Sequence, residues 1–373
     1  MYVIIFLQGF VFYGPVATLY RQARGLSMSQ IFLIESISWI LIIALEVPWG
    51  WFSDRFGYKK TLVFVNALFF ASKIVFYMSN SFVLFLLERI LLSIVLAGLS
   101  GCDTALIYSS IKEDEVQSVF GRYSAWGTAG FLFASILSSF IVEISLDYTA
   151  LFTIFPYALA AILTLFLVEV KVDNREKPKF KESFKQAFSD KTIIIFTIST
   201  ALIIEVFQAV TVFLNQSQYL KSGIDVKYFG VILAGIQLIR LFSVKSNYLT
   251  KKLGSCQAII ILEFLVVLSC IVLIFTSSSV LSVMTIVSIS FSVAMIGPIE
   301  MDIKNKTIRT SNRATILSIY SMTGSLIASI GNIIIGKSAD YSLEMGFIIC
   351  SMMSVLGLIL MIVYYKLTKE KNN

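Results

Sequence analysis

Long apolar runs separated by short polar segments fill this chain from end to end. A helix needs about 20 mostly apolar residues to cross a bilayer. Twelve runs qualify: 2–20, 29–50, 60–79, 82–108, 121–143, 148–169, 191–215, 227–246, 256–276, 279–301, 314–336 and 345–366. The connections near 79–82 and 276–279 are short and rest on Ser and Asn or Thr. The longest polar stretch, 171–190, falls at mid-chain and divides the runs six and six. The pattern predicts an all-α membrane protein with twelve transmembrane helices in two six-helix bundles. The N-terminal bundle is expected over 1–170, a cytoplasmic linker over 171–190 and the C-terminal bundle over 191–373.

Composition agrees. Of 373 residues, 57% are hydrophobic and 14% charged, against about 25% charged in a soluble domain. The formal charge is +7, but the basic residues punctuate apolar runs, so they read as topology signals and not as a nucleic-acid surface. With the N-terminus inside, 22 Lys and Arg fall in inner segments and five in outer ones: Arg21, Arg24, Lys221, Lys227 and Lys337. Both termini and the linker are therefore expected in the cytoplasm and the protein in the cell (plasma) membrane. The first 20 residues lack a basic start and a small-residue cleavage site, so they read as a span and not as a signal peptide. The chain begins almost inside that span, which leaves any N-terminal tail very short or missing. There is no histidine, which removes His triads, His metal sites and His switches. Cys102, Cys256, Cys270 and Cys350 are scattered, suggesting neither a zinc site nor a disulfide framework. No metal or cofactor is expected.

Charges inside spans are costly and usually face a cavity or pair. Lys73 precedes the connection between the third and fourth spans, and Glu88 and Arg89 follow it at similar depth. A Lys73–Glu88 pair across that hairpin is one expectation; Arg89 then faces a cavity or meets Glu35. Arg89, Ser93, Leu96, Ser100 and Asp103 recur at helical spacing in the fourth span, a cavity wall or a tight polar interface. Glu46, ahead of Pro48 and Gly50, reads as an acid near the membrane surface or as a coupling residue. In the seventh span Glu205, Gln208 and Asn215 are read as one side of a helix. Low dielectric disfavours the charged form of a carboxyl, so Glu205 is a candidate proton carrier. A pair with Arg240, a bond to Gln208 or a substrate contact are the alternatives. Glu263 in the ninth span is a weaker candidate that could pair with another helix. Glu300 and Asp302 are expected among Lys304, Lys306 and Arg309 as a surface patch, and Gly331-Asn332 as packing residues.

Residues 50–60 read Gly-Trp-Phe-Ser-Asp-Arg-Phe-Gly-Tyr-Lys-Lys, with Gly50 and Gly57 expected to shape a tight, charged turn. The segment resembles the G-x-L-A-D-R-x-G-R-K signature of the major facilitator superfamily, with Gly50, Asp54, Arg55, Gly57 and Lys59 at matching positions. Asn247–Gly254 echoes it in the second half, with Gly254 on Gly57. The Leu45–Pro48 lead-in, Ser100–Tyr108 and Arg313-Ala314-Thr315 resemble a bacterial drug-efflux-like branch of that family. The resemblance implies a cytoplasmic latch of Gly50, Asp54, Arg55, Gly57, Lys59 and Asp103, and places Arg89 near an arginine of proton-coupled members. It also implies a central cavity lined by helices 1, 4, 7 and 10, with Gln8, Tyr13, Arg89, Glu205, Gln208 and Asn215 as lining residues. The fifth span departs from the antiporter pattern: it has Gly127-Thr128-Ala129-Gly130-Phe131 and no proline.

The expected function is secondary active transport by alternating access: proton-coupled export of a small organic or peptide-like compound. Its partners would be that solute, the proton and the lipid bilayer, with no nucleic acid; a monomer suffices. Uptake by symport and a non-transporting sensor or immunity protein are the rivals. An enzyme is not expected, since no Ser or Cys sits in a nucleophile motif beside a base.

Overall fold

The computed structural model describes residues 1–99, 102–111, 115–169, 188, 190–308 and 313–372. Ser100, Gly101, Lys112, Arg309 and the linker 171–190, apart from Phe188 and Asp190, lie outside the described residues. So do the side chains of Asp54 and Arg313. Among the described residues every regular element is helical, and eleven stretches are long and apolar enough to cross a membrane. The first apolar run is the twelfth span, and it is broken. It consists of α1 (Tyr2–Gln8), a short 3-10 turn (Gly14–Val16) and α2 (Ala17–Ala23).

Contacts group the chain into two compact units: Met1–Asn174 with Asp225–Ala234, and Arg175–Ile224 with Gly235–Asn373. The first holds α1 and α2, α3 (Met28–Phe56), α4 (Tyr58–Met78), α5 (Phe82–Leu99), α6 (Cys102–Tyr108), α7 (Val116–Ile144) and α8 (Leu146–Thr164). Asp225–Ala234 belongs with it because Gly230 lies directly against the Ser135 carbonyl of α7, and Lys227 Nζ stands 3.9 Å from Glu143. The second unit holds α9 (Lys191–Gln208), α10 (Asn215–Lys221), the second half of α11 (Phe229–Arg240) and α12 (Ser246–Leu253). It continues with α13 (Ser255–Phe275), α14 (Ser279–Thr307), α15 (Arg313–Tyr341) and α16 (Leu343–Asn372). A π-helical turn, Ala209–Leu214, joins α9 to α10. Large apolar side chains such as Phe140, Phe155, Phe275, Met284 and Ile330 are exposed, as lipid-facing residues must be.

Without a hydrophobic drive between helices in lipid, close packing and polar glue hold such bundles. In the first unit, α1 meets α7 through glycine: a Cβ on Gly130 would stand 2.0 Å from the Phe6 carbonyl oxygen. One on Gly9 would stand 2.6 Å from that of Gly127. In the second unit, Gln218 Nε2 donates to Ser282 Oγ (2.8 Å) and to the Thr276 carbonyl (3.1 Å), tying α10 to the α13–α14 connection.

Two expectations change here. Gly50 does not turn the chain. It lies inside α3, which runs on to Phe56, and Gly57 alone (φ 88°) makes the corner. Arg55 thus sits in the last helical turn, where a cation complements the helix dipole. The seventh span keeps no single stripe either. A π-type insertion rotates the succeeding turns by roughly 100°, one residue's worth, so Asn215 leaves the line of Glu205 and Gln208.

The echo between the halves is geometric. All four positive-φ glycines pair across them: Gly25 with Gly223, 198 residues apart, and Gly57 with Gly254, 197 apart. Gly57 and Gly254 have nearly the same backbone (φ 88°, ψ 158° and φ 84°, ψ 153°), and each starts a 21-residue helix. After Gly25 and Gly223 the chain makes the same bond back to the helix: Leu26 to the Arg21 carbonyl, Ile224 to that of Tyr219.

Replacing Gly130 with Val should destabilise the purified protein by about 1–3 kcal/mol through overpacking, seen as a lower thermal unfolding midpoint in detergent. Gly121→Ala, with nothing within 4 Å of the new methyl, should leave the midpoint unchanged or slightly raised.

Candidate functional site

The break in the first span sets the site. Helix hydrogen bonds stop at Gly9, and the freed backbone groups find side chains of α8: Phe12 N–H donates to Thr153 Oγ1 (3.1 Å), and Tyr157 Oη donates to the Gln8 carbonyl (2.6 Å). Thr153 and Tyr157 lie one turn apart around Pro156, which is why one helix face serves both. Phe76 of α4 is sandwiched between Tyr13 and Tyr20, with ring centroids 3.9 and 4.9 Å away, and so pins both pieces of the span.

Five charged side chains gather beside the break. Lys73 Nζ donates to Tyr13 Oη (2.9 Å) and lies 4.8 Å from the ring centroids of Phe69 and Tyr157. Among the described residues no carboxylate comes within ion-pair distance of Lys73. The expected Lys73–Glu88 pair is therefore not formed: the break brings Arg21 inward, and its guanidinium stands 4.0 Å from Glu88. Arg21, counted among outer-loop cations, is buried and also lies over the Phe76 and Phe85 rings. Arg89 Nη2 donates to Glu35 Oε1. Both Glu88 carboxyl oxygens are buried without a hydrogen-bond donor. Three cations thus face two carboxylates.

At the other end of this unit, Gln8 Nε2 donates to Asn66 Oδ1, and both line a small cavity with Asp103 and Tyr123. Asp103 accepts from Tyr123 Oη (2.9 Å) and from the Thr104 backbone. Arg55 is exposed with its guanidinium over Phe56. At the Gly57 corner the partner is Glu169, whose carboxylate accepts the Lys59 backbone N–H (3.2 Å). An acid there suits the start of α4, and it leaves no room for a Gly57 side chain, since a Cβ would lie 2.8 Å from Glu169 Oε2. Glu46 is half-buried. Glu169, Tyr123, Thr153 and Tyr157 escaped the sequence reading; only the fold brings them to these positions.

In the second unit, Glu205 is 1% exposed, and its side chain packs on Gly331 of α15. Asn332, next along, is fully buried with neither amide atom hydrogen-bonded. Arg240 makes no described ion pair and lies over the Phe207 ring, 5.1 Å from its centroid. Gln208 is half-buried, while Asn215 is buried and its Oδ1 meets no hydrogen-bond donor among the described residues. Glu300 and Asp302, expected in a solvated or salt-bridged patch, pair with Lys304 and Lys306 one turn away, and Glu300 is largely enclosed, with Thr200 Oγ1 donating to it (3.0 Å). Glu263 is 0% exposed and meets Ser199 Oγ at 3.1 Å. No cluster among the described residues has the make-up of a metal site.

Buried ion pairs beside a broken span and glycine-mediated helix contacts suit a polytopic carrier, and the comparisons agree. The family description Major Facilitator Superfamily matches residues 1–332. The chain belongs to the Major Facilitator Superfamily. No curated protein matches it by sequence. Its fold is similar to the crystal structure of the nucleoside transporter NupG, with TM-score 0.85 at 16% identity over 98% of both chains. It is also similar to a bacterial homolog of the human lysosomal transporter Spinster in an inward-facing, unoccupied conformation: TM-score 0.77, 14% identity, 98% of this chain and 95% of that one. A POT family transporter in complex with 5-aminolevulinic acid gives TM-score 0.78 at 15% identity, over 98% and 96%. At such identities the likeness concerns the fold alone. As a superfamily member the chain is a multi-pass membrane protein of the transporter fold.

Removing one partner of a buried ion pair strands the other charge. Glu35→Gln alone should cost about 3–5 kcal/mol, whereas Glu35→Gln with Arg89→Gln should cost less than the single change. Thermal unfolding of the three proteins in one detergent checks this. Tyr157→Phe should cost about 1–3 kcal/mol, because it leaves the Gln8 carbonyl without its donor.

Proposed function

We propose that this superfamily member is a proton-coupled secondary transporter that moves a small organic or peptide-like compound by alternating access, in the direction of export. The observation that carries the reading is the pair of interruptions at matching positions of the two halves: the broken first span and, about 198 residues later, the π-helical turn of the seventh. Irregular backbone inside a membrane survives where protein or a binding cavity satisfies it, and matched interruptions are the best pointer to a transport site. Beside the first stand Arg21, Lys73 and Arg89 against Glu35 and Glu88. Their surplus positive charge suits a solute that carries a carboxylate.

In this reading Gln8, Tyr13, Arg89, Glu205, Gln208 and Asn215 serve the solute or the proton, Glu46 is a secondary proton candidate, and Asp54, Arg55, Lys59 and Asp103 form the latch. Gly50 and Gly57 shape its backbone. The distribution of Lys and Arg supports both termini in the cytoplasm; the cell membrane is the proposed location, and one chain suffices for transport. Export rests on the efflux-like segments near 45–48 and 100–108. Uptake by symport is the second reading; the same buried charges would serve either direction.

Proteoliposomes with a pH dye inside test both readings. Under an imposed pH gradient, cationic, neutral and carboxylate-bearing compounds are added on either side. Compound-dependent proton flux is expected, largest for carboxylate-bearing compounds. Arg89→Gln should lower it about tenfold to a hundredfold, the worth of one charge-assisted hydrogen bond. Flux opposed to the solute means export; flux with it means uptake. Solute movement without proton flux ends the coupling, and no movement of any compound favours the non-transporting alternative.

A further inference from the structure

The contact that joins α9, α13 and α16 contains one hydrogen too few. Ser199 Oγ lies 2.8 Å from the Gly357 carbonyl oxygen and 3.1 Å from Glu263 Oε1. A hydroxyl has one hydrogen, and a carbonyl has none to give. If Ser199 donates to Gly357, the shorter contact, its oxygen faces a carboxyl oxygen with no hydrogen between them. If it donates to Glu263, the same conflict arises at Gly357. Both contacts are satisfied together when Glu263 carries a hydrogen on Oε1 and gives it to Ser199 Oγ, which gives its own to Gly357.

The surroundings agree. Glu263 is 0% exposed, its Oε2 has no hydrogen-bond donor, and among the described residues no cation pairs with it. An ionised carboxylate in that position has one neutral hydroxyl to lean on, and a group so placed takes up a proton instead. From α9 only the hydroxyl-bearing Ser199 reaches it; neighbouring Thr200 turns to Glu300. From α14 the charged group acting on it is Glu300, paired with Lys304. From α16 comes the carbonyl of Gly357, which stands between Leu356 and Leu358. The approach is close at Gly357: a Cβ would lie 3.2 Å from Ile203 Cγ1 and Cδ1 and from the Ser199 carbonyl oxygen, a tight fit that its neighbours would have to relax.

We propose that Glu263 is a proton-binding site of the second unit, holding its proton against Ser199 and thereby fastening α13 to α9 and α16. Loss of the proton puts a charge into the contact and loosens it. The use of this step in coupling rests on the transport reading above; the site itself does not.

Infrared spectroscopy of the purified full-length protein in nanodiscs tests the site without a substrate. At neutral pH the protonated-carboxyl C=O band should be present in wild type, shifted in Ser199→Ala and lost in Glu263→Gln, with Glu205→Gln as the control for the other buried acid. Glu263→Gln retains a donor for Ser199, so its fold should persist. As a second measure, the wild-type unfolding midpoint should fall as pH rises from the ordinary carboxylate range through neutral, because the unfolded chain gives up the proton that folded Glu263 keeps, and the fall should end once folded Glu263 ionises. In Glu263→Gln this fall should be smaller. A band unchanged in Glu263→Gln, or identical pH dependence in the two proteins, overturns the proposal. If the band is lost as expected but proton flux with solute is unaltered in Glu263→Gln, the site stands and its part in coupling falls.

Discussion

A membrane offers no water to a backbone group that has lost its helical partner, and the first unit is arranged around that constraint. Where the first span breaks after Gln8, the neighbouring helix must supply a donor and an acceptor at fixed places. Thr153 and Tyr157 do so from one face of α8. The break turns α2 inward at Arg21, and Arg21 then occupies the side of Glu88 where Lys73 was expected. Lys73, deprived of a carboxylate, settles among Tyr13, Phe69 and Tyr157. Tyr157 thus serves twice, holding the broken backbone with its hydroxyl and facing the ammonium with its ring. A single irregularity of the main chain decides the partner of every buried charge in this region except the Glu35–Arg89 pair.

The fold was legible because its signal is one-dimensional. Span length needs no tertiary information, and eleven of the twelve runs appear among the described residues as stretches long and apolar enough to cross a membrane. Gly254 was legible as the counterpart of Gly57 from a weak sequence echo, and its dihedral angles match within a few degrees. The break at Gly9–Tyr13 was marked by Gly9 and Gly14-Pro15 but passed over, because Gly-Phe-Val-Phe-Tyr-Gly-Pro is as apolar as a helix would be. Its pieces are held apart by partners more than a hundred residues away. The π-helical turn was hidden for a related reason: Ala-Val-Thr-Val-Phe-Leu carries no breaker, and the extra residue per turn is imposed by packing.

Site residues divide along the same line. Arg89 and Glu35 were legible as charges at similar depth in neighbouring spans, which leaves few arrangements open to them. Glu169 and Tyr123 were not, because an acid at a span end and a tyrosine in a helix are ordinary until the fold sets them against Gly57 and Asp103. Asn332 looked like a packing residue beside Gly331. Its amide is instead enclosed without partners next to the glycine that admits Glu205, an unmet demand for hydrogen bonds that a helix interface alone does not require.

The two units bear buried ionisable groups in different ways. Beside its broken span the first balances charge against charge, and its surplus cation is eased by aromatic faces. The second encloses Glu263 against a hydroxyl, and among the described residues no cation pairs with it. An ion pair in low dielectric is costly to separate, so the first arrangement favours fixed charges that can be redirected by an entering anionic group. An acid among neutral groups is cheap to hold while protonated and costly once ionised, so the second responds to the proton itself. Under the transport reading proposed above, solute and proton would each act on a different half, which is physically simpler than making one cluster serve both.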